Sequence, residues 1–167
     1  RAVTVKPPPF RYERPKTLEE AAALLAEHGD EAKVLAGGQS LVPILNFRLI
    51  RPAVLVDVNR IASLGAVDGE VVGATVRQSD FAGVPLAALA LPYVGHVTTR
   101  NRGTVGGSVA HADPSAELPL CLVVLGGAVR TSKGRELPAD DFFLAHFTTA
   151  LEPDELLTAV QLPEWPR

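Results

Sequence analysis

Between Phe10 and Val58 short apolar runs alternate with helical patterns, and this alternation confines the stretch to a small α/β unit. Phe10 to Pro15 reads as a short strand. Thr17-Leu18-Glu19-Glu20 has the form of a capping box, in which the Thr17 hydroxyl accepts from an orphan N–H and Glu20 reaches back. Leu18, Ala21, Ala22 and Leu25 share one helical face and Gly29 supplies a stop, so a helix is predicted over Leu18 to His28. Lys33 to Ala36 is a short apolar strand running into Gly37-Gly38. A second helix is predicted from Leu41 to Leu49, with Ser40 as its cap, and Val54 to Val58 reads as a buried strand. Strand, helix, strand, helix, strand implies a small parallel sheet.

The pattern changes after Asn59. Leu64 to Val67 and Glu70 to Ala74 flank Asp68-Gly69, a hairpin signal. Val84 to Tyr93 is predicted helical with a break near Pro92. Thr98 to Gly107 is polar and glycine-rich and reads as a loop. Pro114 to Leu125 reads as a helix, with Asp113 as cap and Pro114 in first position. Ala128 to Ser132 and Glu155 to Leu162 read as strands, Lys133-Gly134 as a turn and Asp140 to Leu144 as a short helix. The fold class is therefore α+β: a small parallel α/β subdomain over residues 6–58, then a larger mixed or antiparallel α+β subdomain over 59–167. Residues 1–5 are expected to be upstream or start-site sequence, since no methionine occurs and Lys6-Pro7-Pro8-Pro9-Phe10 has the look of a natural opening.

Composition narrows the function classes. A chain of 167 residues with 47% hydrophobic and 21% charged residues is ordinary globular protein. A net charge of −3 without a Lys/Arg cluster argues against a nucleic-acid partner. The longest apolar run, Val84 to Val97, is broken by Pro85, Pro92 and His96 and is no membrane span. The lone Cys121 fits a reducing compartment, hence a cytoplasmic location. His28, His96, His111 and His146 are scattered, so no metal site is expected.

Two glycine pairs carry the functional signal. Ala36-Gly37-Gly38-Gln39-Ser40 joins a strand to a helix, and Thr104-Val105-Gly106-Gly107-Ser108 has the same character. Glycines let backbone approach a ligand closely, and successive free N–H groups can cradle phosphate oxygens. Two such loops would supply the donors that a dinucleotide's diphosphate needs. Glycine pairs in strand-to-helix turns are also common as plain turns, and neither loop fits the dinucleotide fingerprint or the P-loop. On the residues alone both readings stand.

Both loops resemble the paired FAD-pyrophosphate motifs of the flavin-carrying medium subunit of carbon monoxide dehydrogenase, in the molybdenum hydroxylase family that includes xanthine dehydrogenase. The resemblance extends to Lys6-Pro7-Pro8-Pro9-Phe10-Arg11-Tyr12, to Leu41-Val42-Pro43-Ile44-Leu45-Asn46, and to Arg100-Asn101-Arg102-Gly103 with Ala110-His111-Ala112-Asp113-Pro114-Ser115-Ala116-Glu117-Leu118-Pro119. It implies the FAD-binding fold shared with vanillyl-alcohol oxidase, FAD as cofactor, and a family C-terminal domain absent from this chain. It implies that Lys33, Val34, Leu35, Ala36, Gly37, Gly38, Gln39, Ser40 and Leu41 line the pyrophosphate and ribose. Thr104, Val105, Gly106, Gly107 and Ser108 give the second grip. Asp113 joins the cofactor-binding set, Glu117 lies near the sugar-alcohol chain and Leu157 near the flavin ring. At Val97-Thr98-Thr99 the sequence departs from the family, which carries proline and glutamine before the arginine.

The resemblance further implies an electron-transfer role without catalytic side chains, beside a large molybdopterin subunit and a small iron–sulfur subunit, passing electrons to an external acceptor. The alternatives are a stand-alone FAD oxidoreductase acting on a small organic substrate and a non-enzymatic assembly module. Glycines retained in both loops argue against the module. His111 and Asp113 could form an acid-base pair, but Asp113 reads better as a helix cap and His111 as held by backbone contacts near the flavin, and Arg100 and Arg102 read equally well as phosphate partners or solvated surface. Cys121 reads as core.

Overall fold

The computed structural model describes residues 6–81 and 83–164; the expectation for residues 1–5 lies outside them. Strands β1 (Arg11–Glu13), β2 (Ala32–Leu35) and β3 (Val54–Asp57) form a parallel sheet in the order β1-β3-β2. All four residues of β3 are buried, as suits the middle strand of a covered parallel sheet. Helix α1 (Leu18–His28) has the predicted bounds and turns Ala21 and Leu25 into the core. Thr17 Oγ1 accepts from the Glu20 N–H, and the Glu20 carboxylate accepts from the Lys16 N–H at 2.7 Å, one residue before the cap. Helix α2 (Leu41–Asn46) is shorter than predicted, and Arg48 turns to a left-handed φ of 55°. Ser40 has helical backbone and makes no capping bond, contrary to its expected role.

Beyond β3 the chain forms a hairpin of β4 (Val67–Asp68) and β5 (Val71–Gly73) about Gly69, whose φ is +56°. The expected strand over Leu64 to Val67 is largely a 3-10 turn at Ala62–Gly65. Short helices α3 (Pro85–Ala90), α4 (Val97–Arg102), α5 (Val105–His111) and α6 (Glu117–Val124) follow. Then come β6 (Ala128–Thr131), β7 (Glu136–Pro138), α7 (Ala139–Phe142), the pair β8 (Phe143–Ala145) and β9 (Thr148–Thr149), and β10 (Leu157–Gln161). The final strand inserts between two earlier ones, giving an antiparallel sheet ordered β4-β5-β10-β6-β7.

Two expectations are corrected here. Thr98 to Gly107 is not a loop but most of α4 and the start of α5. Glycine is a poor helix former, yet Gly106 is held in the first turn of α5 because a Cβ would lie 2.5 Å from the Ala74 Cβ. Close packing overrides propensity. The helix expected from Pro114, α6, starts at Glu117, because Asp113 accepts from the Ser115 N–H and hydroxyl and closes a turn instead.

One apolar cluster runs from Ala21, Leu25 and Val56 through Val58 and Leu64 to Val72, Val105, Val109 and Val160, so the two sheets share a core. Among the described residues no helix is long and apolar enough to cross a membrane. A partly buried ion pair fixes the turn before β10. Arg135 Nε donates to Glu155 Oε1 at 2.9 Å and a second guanidinium nitrogen to Oε2, while Glu155 also accepts from the Glu152 N–H. Burial would push the Glu155 carboxyl up, but Arg135 and the other donors outweigh it and hold its pKa at about 2.

Candidate functional site

The two glycine segments meet. Gly37 lies so close to the end of α4 that a Cβ on it would sit 2.4 Å from the Arg102 carbonyl oxygen and 2.8 Å from Gly103 Cα. A Cβ on Gly107 would come within 3.6 Å of the Ala36 Cβ. Between them opens a cleft of about 450 Å³. One wall is β2, the first glycine turn and α2; the other is the end of α4 with α5, and the start of α6 closes one end.

Most of the expected residues reach this cleft. Lys33, Val34, Ala36, Gly37, Gly38, Gln39, Ser40 and Leu41 line the first wall. Thr104, Gly107 and Ser108 line the second, with Asp113 and Glu117 at the end. Leu35, Val105 and Gly106 do not line it. Val105 is fully buried in the core and Gly106 packs on Ala74. Leu157 lies on a smaller apolar cavity of about 80 Å³, which shares Val34, Ala36, Gly107 and Ala110 with the cleft.

The loops differ in what their backbones offer. The N–H groups of Val105, Gly106 and Gly107 are already taken, by Val76 O at 2.9 Å, Ala74 O at 3.0 Å and Thr104 Oγ1 at 3.1 Å. The free donors expected at the second loop are therefore not free. Among the described residues no protein acceptor takes the N–H groups of Gly37, Gly38, Gln39, Ser40 or Leu41. Gly38 has a φ of +72°, a conformation that favours glycine. Gly37, Gly106 and Gly107 lack positive φ; close packing accounts for the first two, so their retention does not by itself argue against an assembly module.

Beneath the cleft a polar network ties both walls together. Asn59 Nδ2 donates to Ala36 O at 2.8 Å and to Asp57 Oδ1 at 2.6 Å, and Asn59 Oδ1 accepts from Arg77 at 2.8 Å. The other end of the Arg77 guanidinium donates to Arg102 O. Burial pushes the Arg77 pKa down, with Arg102 adding to the effect. Burial would raise the Asp57 pKa, but hydrogen bonds from Tyr12 and Asn59 outweigh that and hold it below the usual range. Tyr12 is raised in turn, chiefly by its bond to Asp57.

The pairing of His111 with Asp113 is not formed. The His111 ring packs 5.2 Å from Phe147, and the Ser115 N–H and hydroxyl hold the Asp113 carboxyl below its usual range. Arg100 donates to the Val94 and Gly95 carbonyls, which commits it to the turn before α4 rather than to a phosphate. Cys121 is buried, as expected for core, and its thiol is pushed up by burial.

Sequence reasoning missed Gln78, Ile44, Val94, Thr99 and Gly103 as cleft-lining residues, and Asn59 and Arg77 beneath it, while His111, expected near the flavin, does line the cleft. Gln78 is 5% exposed, lines the cleft, and its Oε1 has no hydrogen-bond partner among the described residues. Buried polar atoms are nearly always paired. No periodicity or motif marks Gln78. A polar Asn59 at the end of the buried run from Val54 to Val58 was the one available clue to the network.

The model of the FAD-binding domain in molybdopterin dehydrogenase matches residues 8–165. The 6-hydroxypseudooxynicotine dehydrogenase complex subunit alpha of Paenarthrobacter nicotinovorans is 39% identical, the alignment covering 97% of this chain and 60% of that protein. The carbon monoxide dehydrogenase from Hydrogenophaga pseudoflava superposes with a TM-score of 0.89 at 36% identity, over 96% of this chain and 61% of the other. Quinoline 2-oxidoreductase from Pseudomonas putida 86 gives 0.87 at 39% identity, over 95% and 60%. This chain thus spans about 60% of the length of each of these relatives. It belongs to the family of FAD-binding domains of molybdopterin dehydrogenases.

Proposed function

We propose that this chain holds FAD in the cleft between its two glycine segments and forms part of the electron-transfer component of a molybdenum hydroxylase. The observation that carries the reading is the meeting of two segments 60-odd residues apart, Gly37 against Arg102-Gly103, on one cleft. The residues fit the cofactor. Five consecutive backbone N–H groups, Gly37 to Leu41, have no protein acceptor among the described residues and can take a diphosphate. Gln78 Oε1, without a partner among the described residues, can accept from a ligand's hydroxyl or ring N–H.

In this reading the first loop grips the diphosphate, and the second serves as a packed wall that Gly107, Ser108 and Thr104 present to it. Glu117 and Asp113 at the closed end take the sugar hydroxyls. Leu157 and the small apolar cavity exclude water beside the ring. When bound, FAD supplies the redox chemistry, and the protein supplies binding, orientation and electrostatics. No side chain is asked to act as acid or base.

The partners in this proposal are a large molybdopterin subunit and a small iron–sulfur subunit, and the location is cytoplasmic. Relatives named as a medium chain or as a subunit of a dehydrogenase complex support a multichain setting. The two lobes are taken to divide near residue 58, where the parallel sheet ends. The test uses the full-length subunit with its partners. It should be yellow, release flavin as FAD rather than FMN, and be reduced through the iron–sulfur partner. Reduction by a small alcohol or hydroxy acid without partners would favour a stand-alone oxidoreductase, and a colourless subunit that takes up no FAD would refute the proposal.

A further inference from the structure

We propose that Asn59 and Arg77 are positioning residues that set the spacing between the two walls of the cofactor cleft, through a hydrogen-bond chain from Ala36 to Arg102. This rests on the FAD reading. Neither residue lines the cleft, but each binds a carbonyl directly next to a glycine that does. Asn59 Nδ2 holds Ala36 O at 2.8 Å, beside Gly37, and Arg77 holds Arg102 O, beside Gly103. The middle link is Arg77 to Asn59 Oδ1 at 2.8 Å. The chain is anchored at Asp57, which accepts from Asn59 Nδ2 at 2.6 Å, from the Asn59 N–H at 2.9 Å and from the Tyr12 hydroxyl.

The chemistry selects asparagine. The position needs an acceptor toward Arg77 and donors toward both Ala36 O and Asp57, which a carboxamide provides in one rigid plane. Turning the amide over would set its oxygen against a carboxylate and a carbonyl, so the network fixes its orientation. The walls also touch directly at Gly37 and Arg102, which limits how close they come. The Asn59–Arg77 chain limits how far apart they drift. A bridge of this kind matters most when the donors of one wall must meet a ligand lying against the other.

Asn59→Asp separates this role from general packing, because it keeps the shape and the acceptor while removing the donors. The new carboxyl would lie beside Asp57, and two carboxylates at that distance share a proton, so one of them titrates well above the ordinary range. With that proton in place the residue again donates toward Asp57, which restores the anchor of the chain. The charged groups facing the pair are Arg77 and Arg14, with Arg60, Arg102 and Asp80 further out. The full-length subunit, stripped of FAD, is titrated with FAD by flavin fluorescence between about pH 4 and about pH 8.5, which takes in the region near about 4.7 where a carboxylate dyad gives up its shared proton. Relative to wild type, the variant should bind roughly tenfold to hundredfold more weakly at the alkaline end, the equivalent of one or two hydrogen bonds. It should recover toward wild type at the acid end. Affinity within twofold of wild type across the range, in a variant folded by circular dichroism, would overturn the proposal.

Arg77→Lys gives a second route should the first variant not fold. Lysine replaces the two guanidinium nitrogens, one holding Asn59 Oδ1 and the other Arg102 O, with a single nitrogen and no rigid fork, so FAD should be held more weakly at every pH; unchanged affinity overturns the proposal. A wild-type subunit that takes up no FAD would instead sink the flavoprotein reading itself.

Discussion

Gly37→Ala tests the meeting of the two walls most directly. Gly37 does not use positive φ, so alanine is compatible with its backbone, and the only cost is contact. The new Cβ would lie 2.4 Å from Arg102 O and 2.8 Å from Gly103 Cα, both backbone atoms that no rotamer change can move. Ordinary contact begins near 3.4 Å, so the walls must part by about 1 Å. In the free subunit they can do so by loosening the bond from Arg77 to Arg102 O. A cofactor that needs the native spacing must restore the strain on binding. Overpacking of this kind costs about 1–3 kcal/mol, and at 1.4 kcal/mol per tenfold the FAD affinity should fall by about 5- to 150-fold. Flavin fluorescence titration of the stripped full-length subunit reads this, with thermal melting of the FAD-free form as control. A folded variant that binds FAD as tightly as wild type would show that the spacing at Gly37 is irrelevant to the cofactor.

Gly106→Ala should act on the fold instead. Its Cβ would meet Ala74 Cβ at 2.5 Å and Cα at 2.6 Å, so melting of the FAD-free subunit should drop, at about 2–4 °C per kcal/mol lost for a domain of this size. Gln78→Leu removes a buried acceptor that lacks a donor, so the FAD-free form should be as stable as wild type or more so, while FAD affinity falls; a gain in FAD affinity would refute the assigned role. Glu155, lowered from 4.5 to about 2, contributes stability that is fully present above pH 4.5 and lost as pH falls toward 2. The shift corresponds to about 3 kcal/mol. Wild type should therefore lose its advantage over Glu155→Gln in urea unfolding across that window, and a constant difference from pH 5 to about pH 2 would refute the assignment.

The first third of the fold was legible because its signals are local. A capping box and a glycine stop gave α1 its observed bounds, and the wholly apolar Val54-Leu55-Val56 run marked the middle strand. The second part failed where local chemistry and tertiary contact disagree. A polar, glycine-rich stretch argues for a loop, yet Val105 and Gly106 each donate to the chain at residues 74–76 and Gly106 fits against Ala74, so the stretch is helical. Asp113 followed by Pro114 argues for a helix start, yet its carboxylate finds Ser115 first and the helix waits until Glu117. No single-chain pattern could reveal that the last strand inserts between β5 and β6, because that pairing joins residues some ninety positions apart.

The site was legible for a reason only partly its own. Both glycine pairs pointed to one cleft, but the same residue type meets two different physical needs there. At Gly37 and Gly106 the missing Cβ makes room for protein backbone and side chain. Only at the first turn does the backbone leave a run of N–H groups for something outside the protein. A ligand bound between two such walls has its charge met from one side, while the other side defines the distance. Affinity then depends on residues that never touch the ligand. This explains why Asn59 left only the faint clue of a polar residue after a buried strand, and Arg77, on no cleft wall, left none: their work is to hold two carbonyls, and backbone carbonyls have no sequence.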